Sequence, residues 1–172
     1  MNTVHRSAST AFAAALSIAG AMPSLVAAQD ATFGSKSMTP EVALRAAQAA
    51  LSACRDAGYQ VTVAVVDRGG LLQVLLRDRF AGAHTVSFAR DKAWTAASFR
   101  ISTEQLRDAT GPDKPEAGIR QLAGVAAVAG GLPIDAGGAH VGAIGVSGAP
   151  GGQADEQCAR AGIEAVADDL AF

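Results

Sequence analysis

The stretch from Tyr59 to Asp67 puts Val61, Val63 and Val65 on one face of a strand and Thr62, Ala64 and Val66 on the other, so both faces are fit for burial. Arg68-Gly69-Gly70 supplies a turn, and Leu71 to Arg77 returns with Leu72, Val74 and Leu76 alternating against Leu71, Gln73 and Leu75. A hairpin that is apolar on both sides needs a covering layer on each. The pattern therefore predicts helix over sheet over helix.

The remaining segments supply those layers. Thr39-Pro40-Glu41 reads as a helix start, with threonine as N-cap, proline at the first helical position and an acid near the positive end of the dipole; Gly58 stops that helix. A second alanine-rich helix is expected over Thr85 to Phe99, with Ala89, Ala93, Ala96 and Ala97 as its buried stripe and Phe88 and Trp94 as bulky members. Ser102 or Thr103 caps a short third helix through Asp108, and Gly111 to Pro115 reads as a loop. Three further strands are expected, Val125–Ala129, Leu132–Ile134 and Val141–Ser147, before a last helix from about Gln153 to Leu170. The fold class is then α+β, a three-layer α/β/α arrangement around a five-stranded antiparallel sheet.

Residues 1–28 stand apart from this pattern. A weakly basic start at His5 and Arg6, an apolar run from Ala11 to Met22, and Val26-Ala27-Ala28 before Gln29 read as a signal peptide cut after Ala28. The run is too short to remain as a membrane anchor. The expectation is a periplasmic or secreted protein, with residues 29–38 as a flexible tether and residues 39–172 as one domain. Without Arg6 the 14 Lys and Arg become 13 against 16 acidic residues, a net of about −3. No basic face marks a nucleic-acid partner. The two cysteines, Cys54 and Cys158, both fall in the domain; in an oxidising compartment they can form one disulfide or stay as two thiols buried inside helices, and spacing alone leaves both open. Neither CxxC nor CxxCH occurs, and no metal-site spacing of the HExxH or EF-hand kind is present.

Four motifs in order, Lys92-Ala93-x-Thr95-Ala96, Gly130-Gly131-x-Pro133-Ile134, Gly142-Ala143-Ile144-Gly145-Val146-Ser147-Gly148 and Asp155-Glu156-x-x-Ala159, resemble those of the GlcG/HbpS family of haem-binding-protein-like domains. The likeness runs from about Met38 to Ala171. It implies a profilin-like fold with a five-stranded antiparallel sheet, frequent homo-oligomers, and non-covalent haem as the ligand of some members. Other members sit among catabolic enzymes or act in haem and iron sensing, so three roles follow. They are an exported haem-binding or haem-handling protein, a small-molecule enzyme or accessory protein acting on an organic acid in the same pocket, and an extracytoplasmic sensor subunit with a membrane partner.

The candidate site residues divide by chemistry. Strand Val141–Ser147 leaves through a glycine-rich turn, Gly148 to Gly152, into a helix, and backbone N–H groups converging there suit a carboxylate or haem propionate. Gly130, Gly131 and Pro133 form a second loop that can share that pocket. His84, at the edge of the second helix, is the candidate iron ligand, with a plain solvent-facing histidine as the alternative. Arg77 and Lys92 are candidate anion clamps; Lys92 can equally pair with Asp155 or Glu156. Thr95 and Ser147 are candidate polar contacts. Gly145-Val146-Ser147-Gly148-Ala149 falls short of a nucleophile elbow because alanine replaces the last glycine and no histidine follows Ser147. Asp155 and Glu156, adjacent at a helix start, point in different directions and are read as structural. His140 begins the last strand, away from the glycine turn.

Overall fold

A computed structural model describes residues 31–171, and the elements below belong to the compact unit that begins at Gly34. The expected signal peptide, residues 1–28, and the start of the tether lie outside the described residues. The last tether residue, Met38, is buried; its N–H donates to the Val141 carbonyl (3.0 Å) and its carbonyl accepts from Gln73 Nε2 (2.9 Å).

Helix α1 runs Pro40–Asp56, opened by Thr39, whose Oγ1 accepts from the Val42 N–H. Gly58, at φ +82°, closes it: the N–H of Tyr59 donates to Cys54 O and that of Gly58 to Arg55 O, both at 2.8 Å. This left-handed closure is the one a glycine makes without a Cβ penalty. Strands β1 (Thr62–Asp67) and β2 (Leu72–Arg77) form the expected hairpin. Helix α2 (His84–Phe99) follows, then α3 (Thr103–Ala109), capped by Ser102 in a reciprocal bond with Gln105. The loop after it continues into a 3-10 helix at Pro115–Gln121.

Strands β3 (Gly131–Ala136) and β4 (Ala139–Ser147) complete an antiparallel sheet in the order β2-β1-β4-β3. The sheet has four strands rather than the five expected. Val125–Ala129 is apolar enough for a strand, but its backbone is satisfied otherwise. The Ala126 N–H donates to Thr95 Oγ1 (2.9 Å) and the Val125 N–H turns back to Leu122 O (3.2 Å). Only at Gly130, whose carbonyl accepts from the Val146 N–H, does the chain swing alongside β4.

Helices cover both faces, as the two-sided hairpin requires. On one side Ala89, Ala93, Ala96 and Ala97 of α2 pack on Ala64, Val66 and Ala143. The approach is so close that a Cβ at Gly145 would run into the Ala89 carbonyl and the Ala93 nitrogen. On the other side α1 and α4 (Gly152–Glu164) enclose Val63, Val65, Ile144 and Val146. Cys54 of α1 and Cys158 of α4 are joined as a disulfide, with Cα atoms 5.5 Å apart. Helix α4 ends six residues earlier than expected, at Glu164, because a turn buries Val166 completely before a 3-10 segment at Asp168–Leu170. No glycine or proline marks that stop.

Candidate functional site

One row of the sheet sets the site. Thr62 lies opposite Arg77 on β2 and opposite Ser147 on β4, and directly opposed residues share a face. That face is the α2 side, because Thr62 Oγ1 bonds Thr85 Oγ1 (2.7 Å), which donates in turn to the Gly82 carbonyl (2.6 Å). These bonds seat the start of α2 over the end of β4. Beside them opens a cleft of about 300 Å³ lined by His84, Phe88 and Lys92 of α2, by Ser147 to Ala149, and by Gly151, Gly152 and Asp155. His84, Phe88 and Lys92 are four residues apart along the helix and therefore form one stripe. His84 is exposed and its ring rests over Gly82, where a Cβ would come within 2.7 Å of the imidazole.

The inner wall of the cleft is an ion pair. Lys92 Nζ donates to Asp155 Oδ2 (2.7 Å) and to the Val146 carbonyl (2.9 Å), and its side chain is 1% exposed. Asp155 Oδ1 accepts from the Ala149 N–H at 2.9 Å, and the Gly148 backbone also bonds this carboxylate. Burial pushes the ammonium down and the carboxyl up from their ordinary values, and each pulls the other back toward its charged form. The Phe88 ring, its centroid 5.1 Å from Nζ, adds a cation–π contact. The anion seat expected at the glycine turn is thus already occupied by the chain's own carboxylate. Amides left over belong to the first turn of α4, whose N-cap, Gly151, provides no side-chain bond.

Residues 38–164 match the family described as haem degrading protein, HbpS-like. The chain belongs to this family. Its fold matches that of a variant of HbpS from Streptomyces reticuli, 39% identical, with a TM-score of 0.75 over 84% of this chain and 97% of that one. An uncharacterised 15.0 kDa protein from the dhaT-dhaS intergenic region of Citrobacter freundii is 34% identical over 116 residues, 64% of this chain and 80% of that protein. The PduOC:haem complex, 24% identical, shares the fold with a TM-score of 0.70 over 75% of this chain and 94% of that one.

Within this HbpS-like domain the expected site residues separate. His84, Lys92, Ser147, Gly148, Gly151 and Gly152 meet in the cleft, and Asp155, expected as structural, lies at its centre. Arg77 shares the sheet row but bonds the Ala81 carbonyl outside the cleft. Thr95 is fully buried and holds the crossing segment instead, donating to Gly124 O (3.2 Å) and accepting from Ala126 N. Gly130 serves the ion pair: at φ +117°, it lies where a Cβ would come 2.7 Å from Asp155 Cβ and 2.8 Å from Lys92 Nζ, whereas a Cβ at Gly131 would meet the Lys92 backbone carbonyl and Thr103 Cγ2. The Gly131 N–H donates to Thr103 Oγ1 (2.8 Å). Pro133 and Glu156 face a different groove, beside α3. His140 is at the far end of β4, its Nδ1 3.2 Å from Asp135 Oδ1.

Sequence reasoning missed Phe88 and Val128 as cleft residues and Thr62 and Thr85 as its frame. Phe88 was within reach, since it sits midway between His84 and Lys92. The threonine pair gives no local signal, because its partners are 23 residues apart. Among the described residues no group of three or more His, Cys, Asp or Glu could hold a bare metal ion. No described helix is long and apolar enough to cross a membrane.

Proposed function

We propose that this HbpS-like protein is an exported haem-handling protein that works as a homo-oligomer and holds haem non-covalently at the cleft between α2 and α4. The observation that carries the reading is His84, an exposed imidazole at the mouth of a cleft whose wall continues through the Phe88 ring. A neutral imidazole binds haem iron directly, and an aromatic ring packs against a macrocycle. The donor set therefore fits the group. The uncapped first turn of α4 suits a propionate, whereas Lys92, committed to Asp155 and Val146, does not serve as the clamp. Bound haem would supply iron-centred redox chemistry; the chain's part is to bind it, orient it and exclude water with Phe88 and Val128. The family description and the haem complex formed by PduOC support the same choice of ligand.

Titration of the full chain with haemin, followed by visible absorption, tests this reading. A saturable Soret shift that is lost in His84→Ala is the expected result. A saturable shift unchanged in that variant removes His84 as ligand. A second reading is favoured by the size of the cleft, about 300 Å³, at the small end for ligand sites. It is a small organic acid held at the first turn of α4, which would raise the melting temperature where haemin gives no saturable shift.

A further inference from the structure

Ser147 ends β4 directly opposite Thr62, on the α2 face of the sheet, and lines the cleft. It is 4% exposed, yet among the described residues nothing bonds its hydroxyl. Thr62 does not serve, because Thr85 gives its own proton to the Gly82 carbonyl and so takes the one that Thr62 offers. Nor is the hydroxyl sealed in, as the partnerless atoms Gln60 Oε1, Gln73 Oε1, His140 Nε2 and Glu156 Oε2 are. The little surface that Ser147 keeps opens on the cleft. A polar group nearly out of water and unpaired at such a place is completed by a ligand. The start of α4 offers donors to the same cleft. The first helical bond runs from the Asp155 N–H to the Gly151 carbonyl (3.2 Å), so the Gly152, Gln153 and Ala154 amides come before it, and no side chain caps them. Gly151 and Gly152 line the cleft, and a Cβ at Gly151 would meet nothing within 4 Å.

We propose that Ser147 is the specificity-determining donor of the cleft: its hydroxyl and the Gly152 amide together hold one carboxylate, so the cleft takes acids and refuses their esters and amides. The charge of the ligand group is set by its surroundings, a free hydroxyl beside the positive end of a 13-residue helix. The chain's own acids do not oppose it. Asp155 is neutralised by Lys92 and bonded by the Gly148 and Ala149 amides, and Glu156 accepts from Arg160. The proposal rests on the cleft being the ligand site, as put forward above. Within the haem reading it assigns one propionate to Ser147 and leaves the iron to His84.

The test is titration of the full chain and of Ser147→Ala with haemin and with its dimethyl ester, which differ only at the carboxylates, followed by visible absorption. The wild type should bind haemin about tenfold or more tightly than the ester. Ser147→Ala should lose about tenfold for haemin, the effect of one hydrogen bond to a charged group, and little for the ester. Its Soret position should stay, since His84 still holds the iron. Circular dichroism checks the fold of the variant, and the ester comparison needs no variant. Ester bound as tightly as haemin, or haemin affinity unchanged in Ser147→Ala, overturns the proposal and leaves the haem reading standing. If haemin gives no saturable shift, the haem reading falls and melting temperatures decide. A rise with butyrate that butyramide does not give and that Ser147→Ala loses supports the carboxylate site; equal rises, or none, overturn it too.

Discussion

Lys92 Nζ lies 2.7 Å from Asp155 Oδ2 with both side chains almost wholly out of solvent, and the pair ties three elements together at the cleft. Lys92 comes from α2 and Asp155 from the first turn of α4, and the remaining bonds reach the end of β4 and the turn after it through Val146 O and the Ala149 N–H. An ion pair in this position works as a fastening whose halves are useless alone. Removing one charge leaves the other buried and uncompensated.

Lys92→Met and Asp155→Asn should therefore each destabilise the protein by about 3–5 kcal/mol, whereas Lys92→Met combined with Asp155→Leu should recover part of that loss. Urea unfolding of the three variants measures it. If the single variants unfold at the wild-type midpoint, the pair has no role as a fastening.

Acid stability should depend on a second pair. Arg55 grips Asp78 with two bonds, Nε to Oδ2 at 2.7 Å and Nη2 to Oδ1 at 2.9 Å, at the end of β2. The guanidinium bond, opposed by burial, holds the Asp78 carboxyl down to about 2 from an ordinary 3.8. A lowered carboxyl stabilises the fold fully above its unfolded value, and that contribution disappears as pH falls from about 4 to about 2. Asp155, raised by burial, acts in the opposite sense at the acid end. The difference between wild type and Asp78→Asn isolates the Asp78 share: it should be constant above about pH 4 and shrink toward zero near pH 2. A difference independent of pH across that range would rule the linkage out.

Legibility in the sequence followed the range of the interactions. Helix starts at Thr39 and Ser102, the glycine stop at Gly58 and the two-faced hairpin are local patterns, and each was readable from neighbours in the chain. The Val125–Ala129 segment was misread because apolar composition suits a strand, while what decides its conformation is Thr95, about 30 residues away. The cleft was half legible for the same reason. Its α2 stripe is periodic and its glycine turn is continuous, and Asp155 was one of the two acids offered as a partner for Lys92, but nothing local chooses between that pairing, 63 residues on, and a ligand. Gly130 and Gly131 look like a binding loop, yet Gly130 acts as clearance for that pair and Gly131 as clearance for the α2 backbone at Lys92 and for Thr103.

That clearance can be measured. Gly58→Ala places a methyl at φ +82° in open space, so it should cost only the left-handed backbone strain, about 1–2 kcal/mol. Gly130→Ala adds to strain at φ +117° a collision with Asp155 Cβ and Lys92 Nζ, and it should cost clearly more. Denaturant unfolding of the two variants orders them, and an equal loss would mean that the ion pair has room to move aside.

The disulfide should respond in a way set by its burial. Cys54 is fully buried and Cys158 nearly so, between helices that pack with Gly162 close enough to Ala46 that an added Cβ would come 2.6 Å from its carbonyl. A reductant must wait for α1 and α4 to separate, so reduction of the folded protein should be slow and should accelerate with denaturant below the unfolding midpoint. The bond spans 104 residues, which constrains the unfolded chain strongly. Replacing both cysteines by serine should lower stability by about 2–5 kcal/mol, and more if the buried hydroxyls find no partners. Thiol trapping followed by mass measurement reads the reduction rate, and calorimetric unfolding reads the stability. Rapid reduction in the absence of denaturant would show that α1 and α4 part far more readily than their packing allows.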